Sequence, residues 1–150
     1  MTGLMAFDRQ ATGLAILRIA IGVFLVFEGL SKIRWFTNTS ILAGQLASWL
    51  QTAAPGSLVH AYVSRVAIPW ESWLARLVPL GELSCGFALI LGIWTPLFAF
   101  IAFLMALNVQ FASGALFRLG FLTSGHGLPV LGATLALALG GVRLPWSIRG

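Results

Sequence analysis

Two carboxylates, Glu28 and Glu82, stand inside stretches that otherwise read as membrane-spanning helix, Leu14–Ile33 and Leu77–Trp94. An ionisable group in hydrocarbon costs at least about 2.5–3.5 kcal/mol on insertion scales, so it persists only where it is paired, faces a polar cavity or performs a task. Glu28 and Lys32 are i, i+4 with the acid first, the favourable order on a helix. Arg18 lies ten residues before Glu28, about 80° around the helix and 15 Å along it, too far to pair with it. The structural reading is that Glu28 is an interfacial acid paired with Lys32, and that Glu82 forms a helix-packing ion pair with a basic residue such as Arg18. The functional reading is that these carboxylates hold and pass protons or handle substrate.

Other polar residues carry less chemistry. Asn108 and Gln110 suit interhelical hydrogen bonds. Cys85 suits a small packing residue, since no His or Cys neighbours it in sequence. His60 and His126 both fall near an interface, so a bis-His haem is not expected. The sequence has no CxxC, HExxH, GxGxxG or P-loop pattern, and neither metal nor flavin is expected.

The elements that position these groups follow from composition. Hydrophobic residues make up 59% of the 150 residues and charged residues only 9%, against about 25% charged in soluble domains. A single all-α membrane domain over residues 1–150 is expected, with four spans at about 12–33, 69–94, 96–117 and 127–145. Thr12 is placed to cap the first span, and Lys32 and Arg34 mark its far end. Pro69 and Glu71 suit the start of the second, which Pro79 should kink just before Glu82. Thr95-Pro96 suits a cap and first-turn proline opening the third. Leu128–Gly141 is short, about 21 Å, and is expected either to extend toward Pro145 or to sit in a thinned region of the bilayer.

Residues 34–68 are too patterned for a linker. Leu42, Leu46, Trp49, Leu50 and Ala53 share one helical face, opposite Gln45, Ser48 and Thr52. Leu58, Val59, Tyr62, Val63 and Val66 form a second stripe beyond Pro55-Gly56. Two short amphipathic helices are expected there, lying in the interface or capping the bundle. Arg18, Gly22, Leu25 and Gly29 form a small-residue stripe suited to close helix approach, and Gly81, Cys85, Ala88 and Gly92 form another.

The net charge of +5 comes from scattered basic residues, most of them flanking apolar runs. Anchoring at the lipid headgroups accounts for them, and no nucleic-acid partner is expected. Alternating span direction puts Lys32, Arg34, His60, Arg65, Glu71, Arg76, Arg118 and His126 on one side. Asp8, Arg9, Arg143 and Arg149 fall on the other. The first side is the richer in ionisable groups and is where a site is expected.

The run LRIAIGVFLVFEGLSK resembles the opening of DoxX-like proteins. HAYVSRVAIPWESWLARLVPLGELSCGFALILGIWTP resembles the middle of the DoxD branch, the membrane subunit of thiosulfate:quinone oxidoreductase, where a G-E-L-x-x-G-x-A-L-I-L-G-x-x-T run is typical. FLMALNVQFASG continues the match, so that residues 14–116 are covered. The tail departs from the family, ending in Arg149 where an acid often follows W-S-L. The resemblance implies a four-helix membrane bundle and a partner redox subunit that passes electrons to quinone.

The expected role is therefore a membrane subunit of a quinone-linked redox complex acting on a small sulfur oxyanion such as thiosulfate. Glu82 and Glu28 are the candidate catalytic residues. Arg65, Arg76 and Lys32, with Arg18 and Asn108, are the candidate substrate-binding residues, because a basic face gathers anions. The expected setting is the plasma membrane of a bacterium or archaeon, as a multi-pass protein and as a homo-oligomer. The competing readings are a non-enzymatic anchor or assembly subunit for a soluble oxidoreductase, and a small-solute carrier.

Overall fold

The computed structural model describes residues 9–148, and these are helical with short connections. Asp8 and Arg149 lie outside the described residues. The elements are α1 (Arg9–Ser31), a 3-10 turn (Ile33–Phe36), α2 (Ser40–Thr52), α3 (Leu58–Tyr62) running into a π turn (Val63–Ala67), α4 (Glu71–Leu91), α5 (Thr95–Ala112), a 3-10 turn (Ala115–Phe117), α6 (Gly120–Thr123) and α7 (Leu128–Gly140). Helices α1, α4 and α5 are long and apolar enough to cross a membrane. The 13 residues of α7 are apolar but span only about 20 Å.

Each long helix packs on the next, α1 on α4, α4 on α5 and α5 on α7, and α7 returns to α1. Helices α1 and α4 approach each other closely. A Cβ added to Gly22 would lie 2.8 Å from the Gly86 carbonyl oxygen, and one added to Gly86 would lie 2.8 Å from that of Gly22. Lipid tails are as apolar as leucine, so such pairs hold through close backbone packing more than through hydrophobic burial. The predicted stripe on α1 is the buried one: Ala15, Arg18, Gly22, Leu25 and Gly29. On α4, Gly86 meets α1 while Gly81 faces Met105 of α5.

The connection between α1 and α4 caps one end of the bundle. Leu42 and Leu46 of α2 pack with Val59, Val63 and Ala67 against Ala75 of α4 and Ala112 of α5. Gly56, at φ +79°, turns the chain between α2 and α3, as the Pro55-Gly56 pair predicts.

Several sequence expectations are corrected. The first span starts at Arg9, so Thr12 lies inside α1 and its hydroxyl finds no partner among the described residues. The Thr95 hydroxyl is likewise buried without a partner, and Trp94 enters α5 in the left-handed region at φ 43°. Helix α4 begins at Glu71, after Pro69, and continues through Pro79 to Leu91. The third helix stops at Ala112, ahead of a separate 3-10 turn. Helix α7 ends at Gly140 instead of extending toward Pro145, because the chain folds back. The Ile148 N–H donates to the Leu91 carbonyl at 3.0 Å, which ties the tail to the end of α4.

Candidate functional site

The antiparallel α1–α4 crossing decides which side chains meet. Six residues beyond Gly22 on α1 comes Glu28, and one turn before Gly86 on α4 comes Glu82. Gly29 admits Pro79 and Leu83 so closely that a Cβ there would meet Leu83 at 2.7 Å. The two carboxylates therefore face each other across the helix pair. Lys32 sits just past the end of α1, where the helix dipole favours a cation, and its backbone N–H closes back to the Gly29 carbonyl at 3.2 Å.

From that position the Lys32 ammonium reaches both acids. Nζ lies 2.8 Å from Glu28 Oε2 and 2.8 and 2.9 Å from Glu82 Oε1 and Oε2. The cation is shared, and the Glu82 side chain is 11% exposed against 31% for Glu28. Glu28 uses its second oxygen differently: Oε1 lies 3.4 Å from His126 Nε2, an ion pair whenever the imidazole is protonated. His126 is exposed and stands in the connection between α6 and α7, whose carbonyl at that residue accepts from the Gln110 amide at 2.9 Å. The ring of Phe24 lies 5.4 Å from the imidazole.

These groups line one end of a cavity of about 250 Å³ between α1, α4 and α5. Leu25, Ala102, Met105, Val109 and Val130 supply its apolar wall, and Gln45 of α2 and Cys85 also border it. The arrangement is a mostly apolar slot with a polar end holding two acids and one fixed cation. With the imidazole neutral, that end carries formal charge 1 − 2 = −1, summed over Lys32, Glu28 and Glu82. It suits a neutral ligand that exchanges protons and accepts hydrogen bonds. It does not suit a bare anion, which would meet two carboxylates and a cation already shared between them.

The structure thus joins Glu82, Glu28 and Lys32, and leaves the other candidates elsewhere. Arg65 and Arg76 are exposed, and Arg76 Nη1 donates to its own helix at the Ser72 carbonyl, 2.9 Å away. Asn108 is exposed and donates to the Tyr62 hydroxyl. Arg18 does not pair with Glu82. It is fully buried near the end of α4, where Nη1 donates to the Ser147 hydroxyl and Nη2 to the Trp146 carbonyl at 2.9 Å. Gly92, at φ +69°, makes room for that guanidinium, since a Cβ there would collide with Nη1.

Sequence reasoning missed His126 and Gln45 as parts of the site. His126 stands in a Gly-rich connection 98 positions from Glu28, so no local spacing links them. Gln45 falls on the polar face of α2 and reads as a solvent-side residue. The tail at Trp146 and Ser147 carried no signal as a partner for Arg18.

A sequence model of the DoxX family matches residues 13–115. No curated protein and no solved structure matches the chain.

Proposed function

Because the chain belongs to the DoxX family of membrane proteins, we propose that its carboxylate-lined cavity binds the head group of a quinone and exchanges protons with it. On this reading the chain is the membrane subunit of a redox complex whose partner supplies the electrons. The observation that carries it is Lys32, held between carboxylates of two helices at the polar end of an otherwise apolar slot. A quinone takes up two protons with two electrons, which is the chemistry the bound group would supply. The apolar wall would receive its ring, and the Gln45 amide at the cavity border is a donor for a carbonyl oxygen.

The protein groups form a graded path for protons. Glu82 is the innermost, Lys32 bridges it to Glu28, and Glu28 reaches the exposed His126. Imidazole is suited to the outer position, since one ring nitrogen can accept a proton while the other gives one up. Glu82, with Glu28, is then the proton donor and acceptor at the ligand, the role general acid–base groups play elsewhere. An oxyanion such as thiosulfate would be met outside the cavity, by the exposed Arg65 and Arg76 or by the partner subunit. We further propose that α7 completes a fourth crossing of the plasma membrane, with α2 and α3 at its interface.

The test is calorimetric titration of the purified chain with a short-chain benzoquinone. About one should bind per chain, and Ala106→Phe, which fills the slot from a residue that lines it, should weaken binding about tenfold or more, a loss of about 1.4 kcal/mol. Binding that does not saturate, or that Ala106→Phe leaves unchanged, contradicts the proposal.

A further inference from the structure

A second cavity, of about 350 Å³, lies between the α2–α3 connection and the segment that follows α5. It shares no lining residue with the carboxylate cavity. Trp49, Ala53, Leu58, Val59 and Phe117 make its walls apolar, and Arg118 is the one charged residue among those lining it. The hydroxyls at its edge are already engaged by the backbone: Ser57 Oγ accepts from the His60 N–H at 3.2 Å, and Ser113 Oγ donates to the Gln110 carbonyl at 3.2 Å.

The apolar surface continues outward from this slot. Leu58 is 76% exposed, Phe117 68% and Leu119 86%. Phe117 and Arg118 lie five and six residues past Ala112, the last residue of α5. If α5 crosses the bilayer, that places them where hydrocarbon gives way to headgroups. Apolar side chains so exposed are stable against acyl chains, and aromatic and arginine side chains concentrate at that depth. Arg118 is exposed, and the ion pairs among the described residues involve Lys32 and His126 instead. The slot therefore offers an apolar wall and one uncommitted guanidinium at headgroup level.

We propose that this groove is a binding site for a single anionic phospholipid. The phosphate sits on Arg118, which can hold it through two parallel N–H bonds, and an acyl chain lies along Trp49, Leu58 and Phe117. The site is independent of the quinone reading and stands whether or not the carboxylate cavity binds quinone.

The test is native mass spectrometry of the full chain in detergent, offered phosphatidylglycerol and phosphatidylcholine with identical acyl chains. The expected result is one retained phosphatidylglycerol, favoured about fivefold, the scale of one basic side chain acting on an anionic lipid. The preference should vanish in Arg118→Gln and persist in Arg118→Lys. Ala54→Trp, at an exposed position beside the slot, should reduce retention of both lipids. Equal retention of the two lipids by the native chain, or a preference that survives Arg118→Gln, would overturn the site. Displacement of the bound lipid by millimolar inorganic phosphate would overturn the lipid as its occupant.

Discussion

Lys32 is the residue on which the cavity depends, because it compensates two acids at once. Removing one acid leaves a pair, whereas removing the cation leaves two carboxylates facing each other in apolar surroundings. Glu82→Gln should therefore cost little stability, since Lys32 keeps Glu28 at 2.8 Å and one burial cost disappears. Lys32→Met should cost about 2–4 kcal/mol, near the range for breaking a buried pair, and Lys32→Met with Glu82→Gln should recover much of that loss. Thermal unfolding in detergent measures all three, and a Glu82→Gln variant less stable than Lys32→Met would contradict the shared-cation arrangement. Part of this was legible in the sequence. The i, i+4 spacing gave the Glu28–Lys32 pair, and the position of Glu82 in an apolar run marked it as functional or paired. Its partner was not legible, because Arg18 and Lys32 were both within reach of a helix whose packing register was unknown.

At the scale of elements, the register comes from glycine. Gly22 and Gly86 set the α1–α4 crossing, and that crossing brings Glu28, Lys32 and Glu82 together. Gly86→Ala places a methyl against the Gly22 carbonyl and should destabilise the protein and weaken quinone binding together. Gly132→Ala on α7, with nothing within 4 Å of the added carbon, should instead stabilise by up to about 1 kcal/mol through helix propensity. Thermal unfolding of the two variants checks the contrast, and equal effects would show that the crossing is not a close one. The α1 stripe and the apolar face of α2 were legible because 3.6-residue periodicity shows which residues share a face; the stripe beyond Gly56 was legible only in part, since Val59 and Val63 are buried but Leu58 and Val66 are exposed. The helix ends were less so. Thr12 and Thr95 look like caps, but the chain starts α1 earlier and enters α5 through Trp94. The end of α7 was hidden because its stop depends on a long-range tie, the tail meeting Arg18 and Leu91.

For the whole molecule, the proposed fourth crossing by α7 requires residues 10 and 148 to lie on the same side of the membrane and Ala54 on the other. Reporter fusions at these sites check that, and termini on opposite sides would leave only three crossings. The architecture then gives the two ends of the bundle different work. One end carries the tail and the buried Arg18, and the other carries the carboxylate cavity, roofed by α2 and by the connection that holds His126. The central claim is that the cavity receives a quinone head group. Photolabelling with an azidoquinone, followed by peptide mapping, tests it most directly. Label is expected on cavity residues such as Phe24, Met105 and Val109, suppressed by excess unmodified quinone and by Ala106→Phe. Label confined to the lipid-facing side chains, or insensitive to competitor, would contradict it.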